Sequence, residues 1–103
     1  MSVEQVTRFS LGGAPVAVKV VARLYADRHS WDTKRHSNAE YELHILLKGR
    51  CTVNIEAENC ALEAGHALLI APGQYHMPVV APGEFERLSL PFFIGEGRLA
   101  RLL

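Results

Sequence analysis

The fold is decided by residues 40–49, which read Glu-Tyr-Glu-Leu-His-Ile-Leu-Leu-Lys-Gly. Apolar and polar residues alternate here with a period of two, which predicts a β-strand. Glu42 and His44 therefore share one face, and the apolar opposite face must be covered. In a small closed barrel, inward residues either fill the interior or leave room for one small ligand. An inward carboxylate and imidazole favour a ligand.

The segments on either side of this strand are also typical of β structure. Residues 16–25 alternate in the same way, residues 50–62 predict a hairpin, residues 67–71 form a short apolar run, and residues 84–93 predict a last strand. Gly and Pro separate these segments, and a loop through Pro78 is expected before the last strand. Short strands at regular spacing predict an all-β fold, a small barrel of the jelly-roll type.

The two cysteines lie in the predicted hairpin. A turn near Ala57 and Glu58 would place Cys60 opposite Ile55, so that Cys51 lies about four residues further along the ladder, roughly 13 Å away. A disulfide does not span that distance. We therefore expect two reduced thiols, as is usual in the cytoplasm.

Composition excludes several classes of function. The chain has 103 residues, 49% of them hydrophobic, and its formal net charge is +0. Such values predict one globular domain with no general attraction to nucleic acid or anionic membranes. The sequence contains neither the apolar stretch of a signal peptide nor a run long enough to cross a bilayer, so a cytoplasmic location is expected.

The last residues are the only segment with helical spacing. Leu99, Leu102 and Leu103 follow two glycines at that spacing, and no terminating signal comes after them. We expect residues 96–103 to begin a linker or dimerisation helix that continues beyond this sequence.

Two short motifs resemble those of the cupin superfamily. The first cupin motif has two histidines flanking one residue, a glutamate four residues later and a glycine seven beyond that. His36, Glu42 and Gly49 match it, while Asn38 replaces the second histidine. The second motif has a glycine, a strand, a turn glycine and a histidine three residues on. Its matching residues here are Gly65, Gly73 and His76.

Four stretches together look like the N-terminal sensor domain of AraC/XylS-type transcription regulators: residues 40–49, 62–65, 68–76 and 84–92. The resemblance covers about residues 16–95, although His66 stands where the family usually has Asp. It implies a small cupin barrel over 16–95 that binds an effector, preceded here by an N-terminal arm over 1–15. In a full regulator, dimerising helices and a DNA-binding domain with two helix-turn-helix units would follow.

Spacing and resemblance together nominate the site residues. The expected ligand-binding residues are His36, Asn38, Glu42, His44, His76 and Trp31. Tyr75 is a further candidate for an aromatic wall, whereas His29 and His66 are expected to be solvated side chains. Two histidines and a carboxylate also form a metal-binding set, so His36, Glu42 and His76 are the candidate ligands of a divalent metal such as Zn, Fe or Ni. Because Asn38 replaces a strong ligand, we expect no metal cofactor.

The favoured function is therefore a binding module rather than an enzyme: an effector-sensing domain that binds a small polar molecule, sugar-like or other, and forms homodimers. It would regulate DNA binding through linkage, with no membrane involved. The alternative is a small metal-dependent cupin enzyme, a dioxygenase, isomerase or lyase, with Glu40 or His44 as base. A binding protein without a DNA-binding partner domain is the third possibility.

Overall fold

The computed structural model describes residues 2–31 and 33–103. Most of these described residues lie in eight strands, with one 3-10 turn after the second strand and another near the end. The strands are β1 Ser2–Leu11, β2 Ala14–Tyr25, β3 Tyr41–Lys48, β4 Arg50–Ile55, β5 Glu58–Glu63, β6 Ala67–Ile70, β7 His76–Val80 and β8 Glu86–Glu96, and the 3-10 turns are Arg28–Ser30 and Leu99–Arg101.

The strands form two antiparallel sheets. One has five strands in the order β1-β2-β8-β3-β6, and the other has three in the order β5-β4-β7. Leu46 of β3 and Val53 of β4 are buried at 2% and 0% exposure, in a core that also contains Trp31 and Phe85. The predicted all-β fold is confirmed, and the alternating residues turn one face of each sheet toward the other.

The N-terminal residues form a strand where the sequence suggested an arm. Residues 2–11 pair with β2 along their whole length, from Ser2 opposite Arg23 to Leu11 opposite Ala14. The connection is Gly12-Gly13, with φ of 57° and 83°, as a two-residue hairpin turn requires. The strand carries little apolar alternation because it is an exposed edge, so periodicity did not reveal it. Met1 lies outside the described residues.

The predicted loop through Pro78 is wrong, because His76–Val80 forms strand β7. Pro78 pairs with Val53 of β4. Proline is tolerated there since β7 is the edge of its sheet and needs no hydrogen bonds on its outer side.

The hairpin of β4 and β5 is confirmed, but its register differs from the prediction. Cys60 lies opposite Val53, not Ile55, and Cys51 lies opposite Leu62. The turn is two residues tighter than expected, with Glu56 at a positive φ of 52°. Both thiols are free, as predicted.

The helical segment at the C-terminus is a single 3-10 turn over Leu99–Arg101. Ala100 is 3% exposed against the barrel, whereas Leu102 is 77% exposed. No helix within residues 2–31 and 33–103 has the length and apolar character needed to span a membrane.

Candidate functional site

The two motif segments meet through their backbones. His36 and His76 form an isolated antiparallel bridge, in which each N–H donates to the other's carbonyl at 3.0 and 2.8 Å. Gly73 N–H also donates to the Asn38 carbonyl at 2.9 Å. The polar segment before β3 is thereby fastened to the entrance of β7. This pairing explains why residues 40 positions apart in sequence share one site.

Glu42 is the centre of the side-chain cluster. Its Oε1 accepts a hydrogen bond from Asn38 Nδ2 at 2.5 Å, and its Oε2 lies 3.2 Å from His44 Nε2. The same oxygen is 3.4 Å from His76 Nε2. Burial works against the charged carboxylate, but the hydrogen bond with His44 and the electrostatic effect of the polar His44, His76 and His36 side chains outweigh it. The pKa of Glu42 therefore lies below its ordinary value, and the group is ionised at neutral pH.

His44 links this carboxylate to a buried arginine. Arg87 lies 3.1 Å from His44 Nδ1 through a terminal guanidinium nitrogen. Arginine has only donors, so Nδ1 must accept and Nε2–H must donate to Glu42. Burial lowers the pKa of His44, and the Coulombic effect of Arg87 acts in the same direction, against the opposing hydrogen bond to Glu42. The imidazole is thus neutral, in one defined tautomer.

Arg87 itself is 4% exposed. Its guanidinium carbon lies 4.5 Å from the ring centroid of Tyr25 and 4.4 Å from that of Trp31. Both rings therefore contribute cation–π attraction to a side chain with little water around it. Desolvation nevertheless lowers the pKa of Arg87 to about 10. The side chain keeps its charge at neutral pH.

The two motif histidines are oriented in the same manner. Nδ1 of His36 lies 2.7 Å from the Lys34 carbonyl, and Nδ1 of His76 lies 3.0 Å from the Gln74 carbonyl. A carbonyl only accepts, so each Nδ1 carries the proton. Among the described residues, the buried Nε2 of His76 has no hydrogen-bond partner.

An open cavity of about 340 Å³ lies in front of this cluster. Such a volume is at the lower end of small-molecule sites. Most of its lining is polar, and it includes two cations and two carboxylates. The lining residues are Arg23, Tyr25, Trp31, His36, Asn38, Glu40, Glu42, His44, Arg87, Ser89 and Pro91.

The structure brings the six nominated ligand-binding residues together, with one difference in placement. Five of them line the cavity, whereas His76 is 0% exposed and lies behind Glu42. Tyr75 is not in the lining: it is 49% exposed and lies beside Arg35, whose guanidinium is 5.6 Å from the ring centroid. His29 and His66 are exposed and outside the cavity.

Sequence reasoning missed the wall contributed by β8 and the end of β2. Arg87 and Ser89 alternate with Leu88 and Leu90, so they share one face of β8. His44 lies directly opposite Ser89 in the sheet. The alternation rule that placed Glu42 and His44 inside would have placed Arg87 there too, had it been applied to the last strand.

The described residues do not fit a metal centre of three protein ligands. Within residues 2–31 and 33–103, no group of three His, Cys, Asp or Glu side chains is arranged to hold an ion. Glu42 and His76 are adjacent, and the two Glu42 oxygens make hydrogen bonds with Asn38 and His44. Asn38, which replaces the second histidine of the cupin motif, makes one of these contacts.

Comparison with solved structures shows likeness of fold. KdgF from Halomonas sp. is 16% identical with a TM-score of 0.54, over 97% of this chain and 84% of that one. A cupin-2 domain containing protein from Shewanella frigidimarina is 19% identical with a TM-score of 0.51, over 85% and 78%. Hydroxypropylphosphonic acid epoxidase from S. wedmorenis is 17% identical with a TM-score of 0.52, over 74% of this chain but only 42% of its own.

Sequence comparison is more specific. No curated protein matches the chain. The model of the AraC-like ligand binding domain matches residues 18–92, which begin in β2 and end in β8 and so contain the whole cavity wall between them. With the cupin fold established independently and most of the chain matched, this protein belongs to the AraC-like ligand binding domain family.

Proposed function

We propose that this chain is the effector-sensing domain of an AraC-type transcription regulator and binds a small polar molecule in the cavity in front of Glu42. The observation that carries the proposal is the polar, open cavity of about 340 Å³ built from the family's own segment. Its walls are fixed by hydrogen bonds between side chains, which is what selective recognition of a polar ligand needs. The chain acts as a binding module and not as an enzyme.

Recognition centres on Glu42. Its ionised carboxylate accepts hydrogen bonds from hydroxyl or ammonium groups of the ligand, in addition to those from Asn38 and His44. Trp31 adds an apolar wall against which a ring or sugar face packs. An ionised acceptor beside an aromatic wall favours a small, compact molecule that carries a few polar groups.

Regulation follows from linkage. A ligand that binds one arrangement of the domain more tightly than another shifts the equilibrium toward the arrangement that it prefers. The free energy of this shift is at most the difference between the two binding free energies. The proposed regulator acts in the cytoplasm. There, ligand binding shifts the equilibrium between the arrangements of a homodimer and of a DNA-binding domain outside this chain. The domain itself contacts no nucleic acid.

The proposal is tested by a thermal-shift screen of polar metabolites on wild type and two charge-neutralising variants. Glu42→Gln removes the ionised acceptor from the cavity, and Glu58→Gln is the matched control at the exposed start of β5. A compound that binds the cavity raises Tm in wild type and Glu58→Gln but not in Glu42→Gln, because binding stabilises the folded state by mass action. Stabilisation that survives unchanged in Glu42→Gln would place binding elsewhere and contradict the proposal.

The second candidate function is a metal-dependent cupin enzyme, and one observation favours it. The buried Nε2 of His76, without a hydrogen-bond partner among the described residues, lies 3.4 Å from a Glu42 oxygen. His36, Glu42 and His76 would have to move together to hold the ion, since they are not arranged as three ligands here, and the ion would then supply Lewis-acid chemistry. The epoxidase among the similar structures is an enzyme by name, although the likeness extends only to the fold. Metal content separates the two candidates.

A further inference from the structure

Arg87 stands out as a buried cation without a direct ion pair. It is 4% exposed, yet no ion pair joins it to a carboxylate within residues 2–31 and 33–103. Arg87 instead donates a hydrogen bond to His44, whose imidazole is neutral. A guanidinium removed from water without an anionic partner is costly, so its retention at this position calls for a reason other than stability.

The side chain of Arg87 is enclosed by aromatic rings and keeps donors that the protein does not use. The guanidinium carbon lies 4.5 Å from the ring centroid of Tyr25 and 4.4 Å from that of Trp31. One terminal nitrogen donates to His44. Nε is buried and has no hydrogen-bond partner among the described residues, so the donor left for a ligand is the second terminal nitrogen. A guanidinium donor forms a short, charge-assisted hydrogen bond with a carboxylate oxygen.

Charges around the cavity select the kind of anion. Arg23 and Arg87 line it on the β2 and β8 side, and Glu40 and Glu42 line it on the β3 side. A carboxylate carries one negative charge and can turn away from Glu42, whereas a phosphate dianion doubles the repulsion with the two glutamates. The glutamates instead suit a hydrogen-bond donor elsewhere on the same molecule.

We infer that the ligand of this cavity is a small carboxylate, held by a charge-assisted hydrogen bond from the second terminal nitrogen of Arg87 and carrying a hydroxyl or ammonium group that donates to Glu42. This inference rests on the proposed effector-binding function and specifies its ligand class. Arg23 adds long-range attraction at the open side of the cavity. Tyr25 and Trp31 act as positioning residues that hold the guanidinium plane.

The test uses two pairs of probes that differ in the carboxylate. Lactate is compared with lactamide, and glucuronate with glucose, at equal ionic strength, with inorganic phosphate as a third anion. We expect Tm to rise by about 5 °C at ten times the Kd of the carboxylate probe, and the neutral partner to give a far smaller shift. The same shifts are measured in Arg87→Met and in the control Arg8→Met, which removes an exposed arginine on β1.

The carboxylate response should be lost in Arg87→Met, weakened at least tenfold in Arg87→Lys, and kept in Arg8→Met. If Arg87→Met does not fold, the Nε–H resonance of Arg87 in wild type gives the answer, because lactate and not lactamide should shift it. Equal responses to both members of each pair, a carboxylate response that persists without Arg87, or tighter binding of phosphate would each overturn the inference. A neutral compound that binds in a Glu42-dependent manner would overturn it while leaving the effector-binding function in place.

Discussion

At the scale of single residues, the site depends on a chain of three groups in which a neutral imidazole joins two charges. His44 donates to Glu42 and accepts from Arg87, and this arrangement exists only while His44 is uncharged. Protonating it would place a second cation against Arg87. The acid sensitivity of the fold should therefore report on this residue.

We predict that the free energy of unfolding decreases as pH falls from 7.5 to 5.5. The folded-state pKa of His44 lies below the ordinary value of 6.5, so the unfolded chain binds the proton first and stability is lost as pH falls below that value. Glu42 adds a later loss, because its folded-state pKa lies below 4.5 and its contribution disappears as pH falls through it. Urea unfolding at both pH values measures the effect.

The matched variants are His44→Gln, which keeps a donor and an acceptor but does not titrate, and His29→Gln, which removes an exposed imidazole. We expect His44→Gln to lose less stability between the two pH values than wild type, and His29→Gln to behave as wild type. Equal pH dependence in all three proteins would show that His44 is not the responsible group.

Individual site residues were predictable where two signals coincided. Glu42 combines strand alternation with motif spacing, whereas His36 was nominated by two motif spacings that converge with Glu42, and the structure places both in the cavity wall. Arg87 has no motif to mark it, and its surroundings depend on the pairing of β8 with β3. That pairing joins segments some forty residues apart, and local periodicity does not specify which strands become neighbours.

At the scale of elements, the turn between β3 and β4 is the most constrained. Gly49 has φ of 92°, and a Cβ placed on it would collide with the Glu84 carbonyl oxygen, which is backbone and cannot move aside cheaply. Gly65, after β5, has the same φ of 92° but nothing within 4 Å of the added atom. The two glycines thus separate backbone strain from steric collision.

We predict that Gly65→Ala destabilises the protein by about 1–2 kcal/mol, the usual cost of a left-handed conformation for alanine. Gly49→Ala should cost about 3 kcal/mol or more, because the collision adds to that strain. Thermal or chemical unfolding of the two variants gives the comparison. A similar loss of stability in both variants would contradict this prediction, because it would mean that the backbone at Glu84 moves away from the added methyl group at no energetic cost.

Strands were predictable in proportion to their burial on one face. β2, β3 and β8 alternate clearly because one side of each faces the interior. β1 is exposed nearly throughout and β7 contains a proline, so neither carries the expected pattern. Both are edge strands, and their existence depends on the neighbour that each one pairs with.

At the scale of the whole molecule, the outer face of the five-stranded sheet is apolar. Leu43 lies between Leu69 of β6 and Leu90 of β8, and Leu88 lies between Ile45 and Leu24. Leu69 and Leu24 are 55% and 42% exposed. Contiguous apolar surface of this kind is unusual on a monomer and favours association.

We predict a concentration-dependent homodimer through this face, measured by sedimentation velocity. Leu69→Glu should shift the equilibrium toward monomer, because it places a charge in the interface. Val79→Glu is the matched control, since Val79 is 59% exposed but lies on β7 in the other sheet. Wild type that remains monomeric at high protein concentration, or equal dissociation by both variants, would contradict this arrangement.

The central claim is that the chain binds an organic effector and not a catalytic metal, and native mass spectrometry of protein purified without chelator tests it most directly. The account predicts the mass of the chain alone or with a small organic molecule, and metal well below one ion per chain. It further predicts that any such organic adduct is lost in Glu42→Gln. One iron, zinc or nickel ion per chain, absent from His36→Ala and His76→Ala, would contradict the account and establish the metal-dependent alternative.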